Sequence, residues 1–153
     1  MENVIGKIKA MVIFFFTGLT ASLGALAIPL YLLVGANIID YATALLAAPY
    51  RGEQRTSKKG ISGIAKKIGM WLLILVGFLL DTLLAYLTQT MGWAVPFKFA
   101  IACIVCIWIL VNELISIIEN IADLGVEVPF LMPLVKWVKQ KAEDTAKISE
   151  TKF

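Results

Sequence analysis

The sequence predicts an all-α integral membrane protein with four transmembrane helices, or three if its first apolar region is a single bent helix. Three observations lead there. Hydrophobic residues make up 59% of the 153 and charged residues only 16%, where a soluble domain carries about a quarter charged. Mean hydropathy is +0.84. The apolar residues also come in runs long enough to cross a bilayer, with basic residues gathered between them. Each crossing needs about 20 residues, so four is the most this length holds with modest loops.

Residues 1–9 form a short, weakly basic head. Lys7 and Lys9 precede an apolar run too long for the core of a secretory signal and without a convincing small-residue cleavage site, so no removable leader is expected. Apolar character then persists from Ala10 to Tyr50, with Asp40 its one charge. That is about twice the length one tilted helix needs. Gly24, Pro29 and Gly35 place a turn or re-entrant bend between 24 and 36. The expected spans are therefore 8–25 and 28–49. Gly18, Ala21, Ser22, Gly24, Ala25 and Ala27 suit close helix contacts, within one chain or between chains.

Arg51, Arg55, Lys58, Lys59, Lys66 and Lys67 share the loop 51–67 with one acid, Glu53. Loops rich in Lys and Arg stay in the cytoplasm. Nucleic-acid binding is not expected, because Tyr50 is the one aromatic residue nearby and the apolar flanks already explain the charge. Gly52, Ser57, Gly60, Ser62 and Gly63 argue against a rigid helix at the start of the loop. From Ile61 the pattern Ile61, Ile64, Ala65, Ile68, with Lys66 and Lys67 opposite, suits an interfacial helix leading into the next span.

The third span is expected at 68–92, interrupted by Asp81. A short link, Gly92 to Pro96, carries Trp93 at a membrane interface. The fourth span is expected at 97–118, with Lys98 snorkelling at its start. Leu124-Gly125 reads as a helix stop, and Pro129 and Pro133 break the connection that follows. Leu134 to Ala142 sets Leu134, Val135, Trp137 and Val138 beside Lys136, Lys139 and Lys141, a short amphipathic surface helix with a charged, fraying tail. The chain thus divides into a transmembrane helical domain, 1–123, and a cytoplasmic helix and tail, 124–153. The positive-inside count holds the 51–67 loop and the C-terminus in the cytoplasm. The N-terminus is cytoplasmic too if the first region is a hairpin, and outside if it is one bent helix.

Catalysis finds no support. The chain has no histidine, which removes the commonest general base and metal ligand. No nucleophile stands beside an activator, and no glycine-rich phosphate loop is present. Cys103 and Cys106 are spaced CxxC but lie in an apolar helix, where small packing residues are the expected reading. No enzyme activity, cofactor or metal site is expected.

The stretch Asn112 to Asp123 is the most informative. It follows a run, Phe99 to Val111, without charge. On a helix with Asn112 at 0°, Glu119 falls at about −20°, Asp123 at about 20°, Ser116 at about 40°, Asn120 at about 80° and Glu113 at about 100°. Six polar residues share about a third of the circumference, and apolar residues fill the rest. Such a face at the edge of a membrane span meets something other than lipid. Asp40 and Asp81 are two further intramembrane carboxylates; each costs roughly 2.5–3.5 kcal/mol at a helix centre if it faces lipid. Asp40 can take a buried hydroxyl or a basic loop residue as partner, or face a lumen or subunit interface. Lys98 lies about 22 Å along the helix from Glu113 and is not its partner within one chain.

Three stretches carry a family resemblance. Asp40-Tyr41-Ala42-Thr43 is followed by Ser57-Lys58-Lys59-Gly60-Ile61-Ser62-Gly63-Ile64-Ala65-Lys66-Lys67. Asn112-Glu113-Leu114-Ile115-Ser116-Ile117-Ile118-Glu119-Asn120 then precedes Leu124-Gly125 and Pro129. This order resembles the phage lysis and toxin-secretion holin family, of the phage holin family 4 type. Its pattern has an Asp-Tyr-x-Thr-Gly element, a Ser-Lys-x-Gly-x-x-Gly-x-x-Lys-Lys loop, and Asn-Glu-x-x-Ser-x-x-Glu-Asn before Leu-Gly-x-x-x-Pro. The match covers residues from about 40 to 129. Ala44 departs from it, standing where the family usually has glycine.

The resemblance implies a protein of the host bacterial cytoplasmic membrane that oligomerises with itself and opens non-specific lesions in the lipid bilayer. An endolysin or a large toxin then passes, without necessary direct binding, and an antiholin is an implied regulator. Two other classes stay open from the residues alone. One is a membrane scaffold whose basic loop and tail dock a soluble partner. The other is a small ion-coupled transporter using Asp40, Asp81 and Glu113, for which no inverted repeat is evident.

Overall fold

The computed structural model describes residues 2–52, 57–92 and 99–150, apart from the side chains of residues 2, 57–59, 142 and 145–150. Arg55, the Trp93–Pro96 link and Lys98 lie outside the described residues, as do the side chains of Lys58 and Lys59. The all-helical reading holds throughout the described chain. Helix α1 is Glu2–Leu23, α2 is Ala27–Ala47, α3 is Ser57–Met91, α4 is Ala100–Asp123 and α5 is Leu131–Glu150. Among the described residues three stretches are long and apolar enough to cross a membrane: Asn3–Ala47, Gly60–Met91 and Ala100–Asp123.

The first of these is two helices joined without a loop. A 3₁₀ turn, Gly24–Leu26, links α1 to α2, and Gly24 takes φ 54°, a left-handed value that costs glycine little. The bend brings together residues far apart along a straight helix. The Phe16 and Tyr31 rings meet at 5.9 Å, and the Thr20 and Tyr31 hydroxyls lie 2.8 Å apart. Pro29 is the third residue of α2, where the first turn requires no donated N–H, so it starts the helix instead of breaking it. Of the small residues in this region, Ala27 is fully buried, whereas Gly18 has open space around it.

The basic loop is shorter than its sequence suggests. Helix begins at Ser57 and continues through Lys66 and Lys67 into the span without interruption. Gly60, Gly63 and Gly69 each weaken a helix by about 1 kcal/mol but supply no stop signal, and no proline separates the amphipathic turns from the apolar ones. At 35 residues, α3 is about 52 Å long, more than a ~30 Å hydrocarbon layer needs.

α4 is the hub, packed against α2, α3 and α5. The core cluster joins its Ala102, Cys106 and Ile109 to Leu26, Leu33, Ile74 and Phe99; Cys106 is fully buried and both cysteines are free thiols. α3 and α4 approach closely at Gly77, where an added Cβ would sit 3.0 Å from Ala102 Cα. α4 ends where Leu124-Gly125 predicts. Gly125 N–H donates to the Ala122 carbonyl at 2.9 Å and Val126 N–H to that of Ile121 at 3.4 Å, a Schellman closure. α5 then folds back along α4. It is longer than 134–142 because Pro133 falls in its first turn, where proline is tolerated. Large apolar side chains coat the outside, among them Met11, Phe14, Leu32, Ile38, Leu72 and Leu79, a surface suited to lipid and not to water.

The Gly77 approach yields a prediction. Gly77→Ala drives a methyl into the backbone of α4 and is expected to destabilise the helix assembly by about 1–3 kcal/mol. Gly69→Ala, whose Cβ meets nothing, should be neutral or slightly stabilising. Unfolding of the purified variants by SDS titration in micelles measures both.

Candidate functional site

The polar residues line up where α2, α3 and α4 meet, from the middle of α2 and α4 to the Ala47 and Asp123 ends. Asn37, Asp40 and Thr43 recur every third residue on α2 and so share a side of it. Glu113 and Asn120 are two turns apart on α4 and share another. Lys67 enters between them from α3. Its Nζ donates to Asn37 Oδ1 at 3.0 Å, pairs with Asp40 Oδ2 at 3.0 Å, and donates to Glu113 Oε2. Three ammonium donors thus meet three acceptors on two other helices.

Asn120 extends the network. Its Nδ2 donates to Asp40 Oδ1 at 3.2 Å and to Thr43 Oγ1 at 3.1 Å. Thr43 Oγ1 donates back to the Ile39 carbonyl at 2.9 Å, leaving its lone pair for Asn120. Asn120 Oδ1 accepts from Arg51 Nη2, and Arg51 Nε donates to Asp123 Oδ2. Two cations and three carboxylates are joined, and among the described residues no buried side-chain polar atom lacks a partner. The arrangement contains no nucleophile and general-base pair. What it can do is hold three helices together by charge.

The structure divides the 112–123 face. Its Glu113 and Asn120 edge is turned into the seam, with those residues 5% and 3% exposed. Asn112 and Ser116 are half-buried beside it, and Glu119 at the other edge is exposed. Asp123 is exposed but paired. Of the basic loop residues, Lys67 and Arg51 join the network, while Lys66 points outward. A helix that packs along one edge of a polar stripe leaves the other edge free.

Asp81 serves elsewhere. It crosses from α3 to cap the start of α4, accepting from Ile101 N–H at 3.1 Å and Ala102 N–H at 2.8 Å. These are orphan donors at a helix N-terminus, which also favours negative charge. The preceding residue, Phe99, has φ 63°, a strained value for a side chain, and stacks on Phe78 at 5.3 Å. Sequence reasoning missed Asn37 and took Thr43 only as part of the family resemblance, although polar residues at i−3 and i+3 of Asp40 in an apolar run were a usable signal. It also missed Trp108 and Glu143, which meet across α4 and α5 and have no local signature.

A model of the bacteriophage holin family matches residues 16–140 of the chain. An uncharacterised Clostridium perfringens protein is 34% identical over 92% of this chain and 97% of its own length. A 14.9 kDa protein of the same species is 33% identical over 84% of this chain and 89% of its own. An uncharacterised Listeria monocytogenes protein is 37% identical over 60% of this chain, and the match spans only 57% of that relative. No solved structure matches.

Lys67→Met leaves Glu113 and Asp40 buried without their cation and is expected to cost about 3–5 kcal/mol. Adding Glu113→Leu removes one stranded charge and should recover part of that loss. Arg51→Gln should cost about 1 kcal/mol or less, because Arg51 and Asp123 are 33% and 42% exposed. SDS titrations of the four proteins supply the comparison.

Proposed function

The chain belongs to the bacteriophage holin family, and from that premise we propose that it accumulates in a bacterial cytoplasmic membrane, assembles with copies of itself, and opens non-specific lesions through which an endolysin or a large toxin passes. It is a multi-pass membrane protein by family and by its three long apolar stretches. The observation that carries the proposal is the divided polar face of α4. One edge is satisfied inside the monomer, Glu113 by Lys67 and Asn120 by Asp40 and Arg51, while Glu119 and the flank of Asn112 and Ser116 remain available to a neighbouring copy or to water. A seam made of ion pairs and amides can be satisfied by side chains when closed and by solvent when open. An apolar seam has only the closed option.

Four crossings suit the geometry, with the N-terminus and the connection between α4 and α5 cytoplasmic. The reading is supported by the seam, which joins the second half of α2, the first part of α3 and the second half of α4 through the basic residues Lys67 and Arg51. α1 and α2 are 22 and 21 residues long, each enough to cross once, and the bend at Gly24 lies at the opposite side.

Expression in a bacterium should collapse the membrane potential abruptly and release periplasm-directed wall hydrolase activity, with high-order oligomers on crosslinking. Accumulation in the membrane with the potential intact would refute the proposal and favour a static anchor. Asn112→Leu or Glu113→Leu should shift the time of collapse without reducing membrane levels. With Cys103 and Cys106 replaced by alanine, an Asn3→Cys probe should resist an impermeant thiol reagent applied outside intact cells if there are four crossings, and react if there are three.

A further inference from the structure

α5 is packed where its composition does not suit lipid. It is not among the stretches apolar enough to cross a membrane, yet it runs antiparallel beside α4, which is. Trp108 Nε1 donates to Glu143 Oε1 at 3.2 Å, and Lys139 Nζ stands 5.9 Å from the centre of the Trp108 ring. Trp108 lies about 22 Å along α4 from Asp123. Measured from the cytoplasmic end, that passes the middle of a hydrocarbon layer about 30 Å thick. The contacts therefore hold charged parts of α5 at membrane depth.

The faces of α5 are sorted accordingly. Leu131, Met132, Val135 and Val138 are half-buried on the side towards α4; the exposed side carries Lys136, Gln140 and Asp144 along one stripe, and Leu134, Trp137 and Lys141, whose ammonium lies over the Trp137 ring, along another. Lipid tails offer Lys136, Gln140 and Asp144 nothing to bond, and charges at that depth are tolerated where they face water or other protein. An indole N–H in mid-span also needs an acceptor, and Glu143 supplies it. We infer that α5, docked along α4, forms part of the polar lining of the lesion, its apolar side against α4 and its Lys136–Gln140–Asp144 side towards the water. The inference rests on the lesion-forming reading and adds which surface lines the opening.

Disulfide trapping tests it on the full chain in vesicles of bacterial lipid. In a Cys103→Ala/Cys106→Ala background, the pair Trp108→Cys and Glu143→Cys should form an intramolecular bridge in vesicles that leak an encapsulated dye, and leakage should persist once the bridge has closed. Leaking vesicles without the bridge, or a bridge that seals them, would overturn the inference and leave the lesion-forming reading intact. Tight vesicles with the unmodified chain would overturn both. A second variant keeps α4 natural apart from the two alanines: Gln140→Cys, modified with a bulky charged thiol reagent, should slow dye release several-fold. An unchanged rate would place α5 away from the water path.

Discussion

The Lys67 ammonium is the contact on which the arrangement of the helices depends. In a bilayer, lipid tails are as apolar as leucine, so burying apolar side chains between helices does not drive them together. Dispersion contacts, close backbone approach and polar pairing remain. Lys67 joins α2, α3 and α4 through a single atom, with Asn37 and Asp40 on one side and Glu113 on the other. Glu113 would otherwise be a buried lone charge, the costliest state for a side chain in this environment. The cation is thus required by the carboxylates as much as they are by it.

α4 is tied at both ends, by different means. At its start, Asp81 reaches from α3 to two backbone N–H groups, and Gly77 lets the two backbones approach. Neither contact involves a second ionised side chain, so this end is held by fixed geometry. At its other end the ties are ion pairs and amides, which can be exchanged for water. On the proposed reading the two parts have different roles: a pivot near Asp81 and Gly77, and a seam that parts near Lys67.

The sequence made the existence of the helices legible, because apolar runs and glycine or proline punctuation act over a few residues. The stop at Leu124-Gly125 and the polar stripe on α4 were legible for the same reason. The uninterrupted start of α3 was not, since glycines lower helix propensity without deciding the outcome. The partners in the seam were harder still. Lys67 and Glu113 are 46 residues apart, and Asp40 and Asn120 are 80 apart. The composition of Asp40, Lys67 and Glu113 implied that the carboxylates would find cations, but which cation depends on how three helices pack. Only half of the α4 stripe proved to be a contact surface within the chain, and periodicity alone does not say which edge turns inward.

A paired polar seam is a poor choice if stability alone is wanted. Replacing a buried ion pair by apolar residues of similar volume is often neutral or stabilising by about 1–4 kcal/mol. Here the chain instead keeps two cations, three carboxylates and two asparagines in contact. The comparison that matters is between the closed seam and the same residues in water. Separating an apolar seam into water exposes surface at about 25 cal/mol per Å², with nothing returned. Separating this one loses pairings but regains hydration of five charges, so the two states lie closer in free energy. On the proposed reading, that narrow gap is what lets one sequence persist as a closed monomer in lipid and as a wet wall in an assembly. The edge carrying Glu119 is already exposed in the closed form, so the first contact between copies does not require the seam to open.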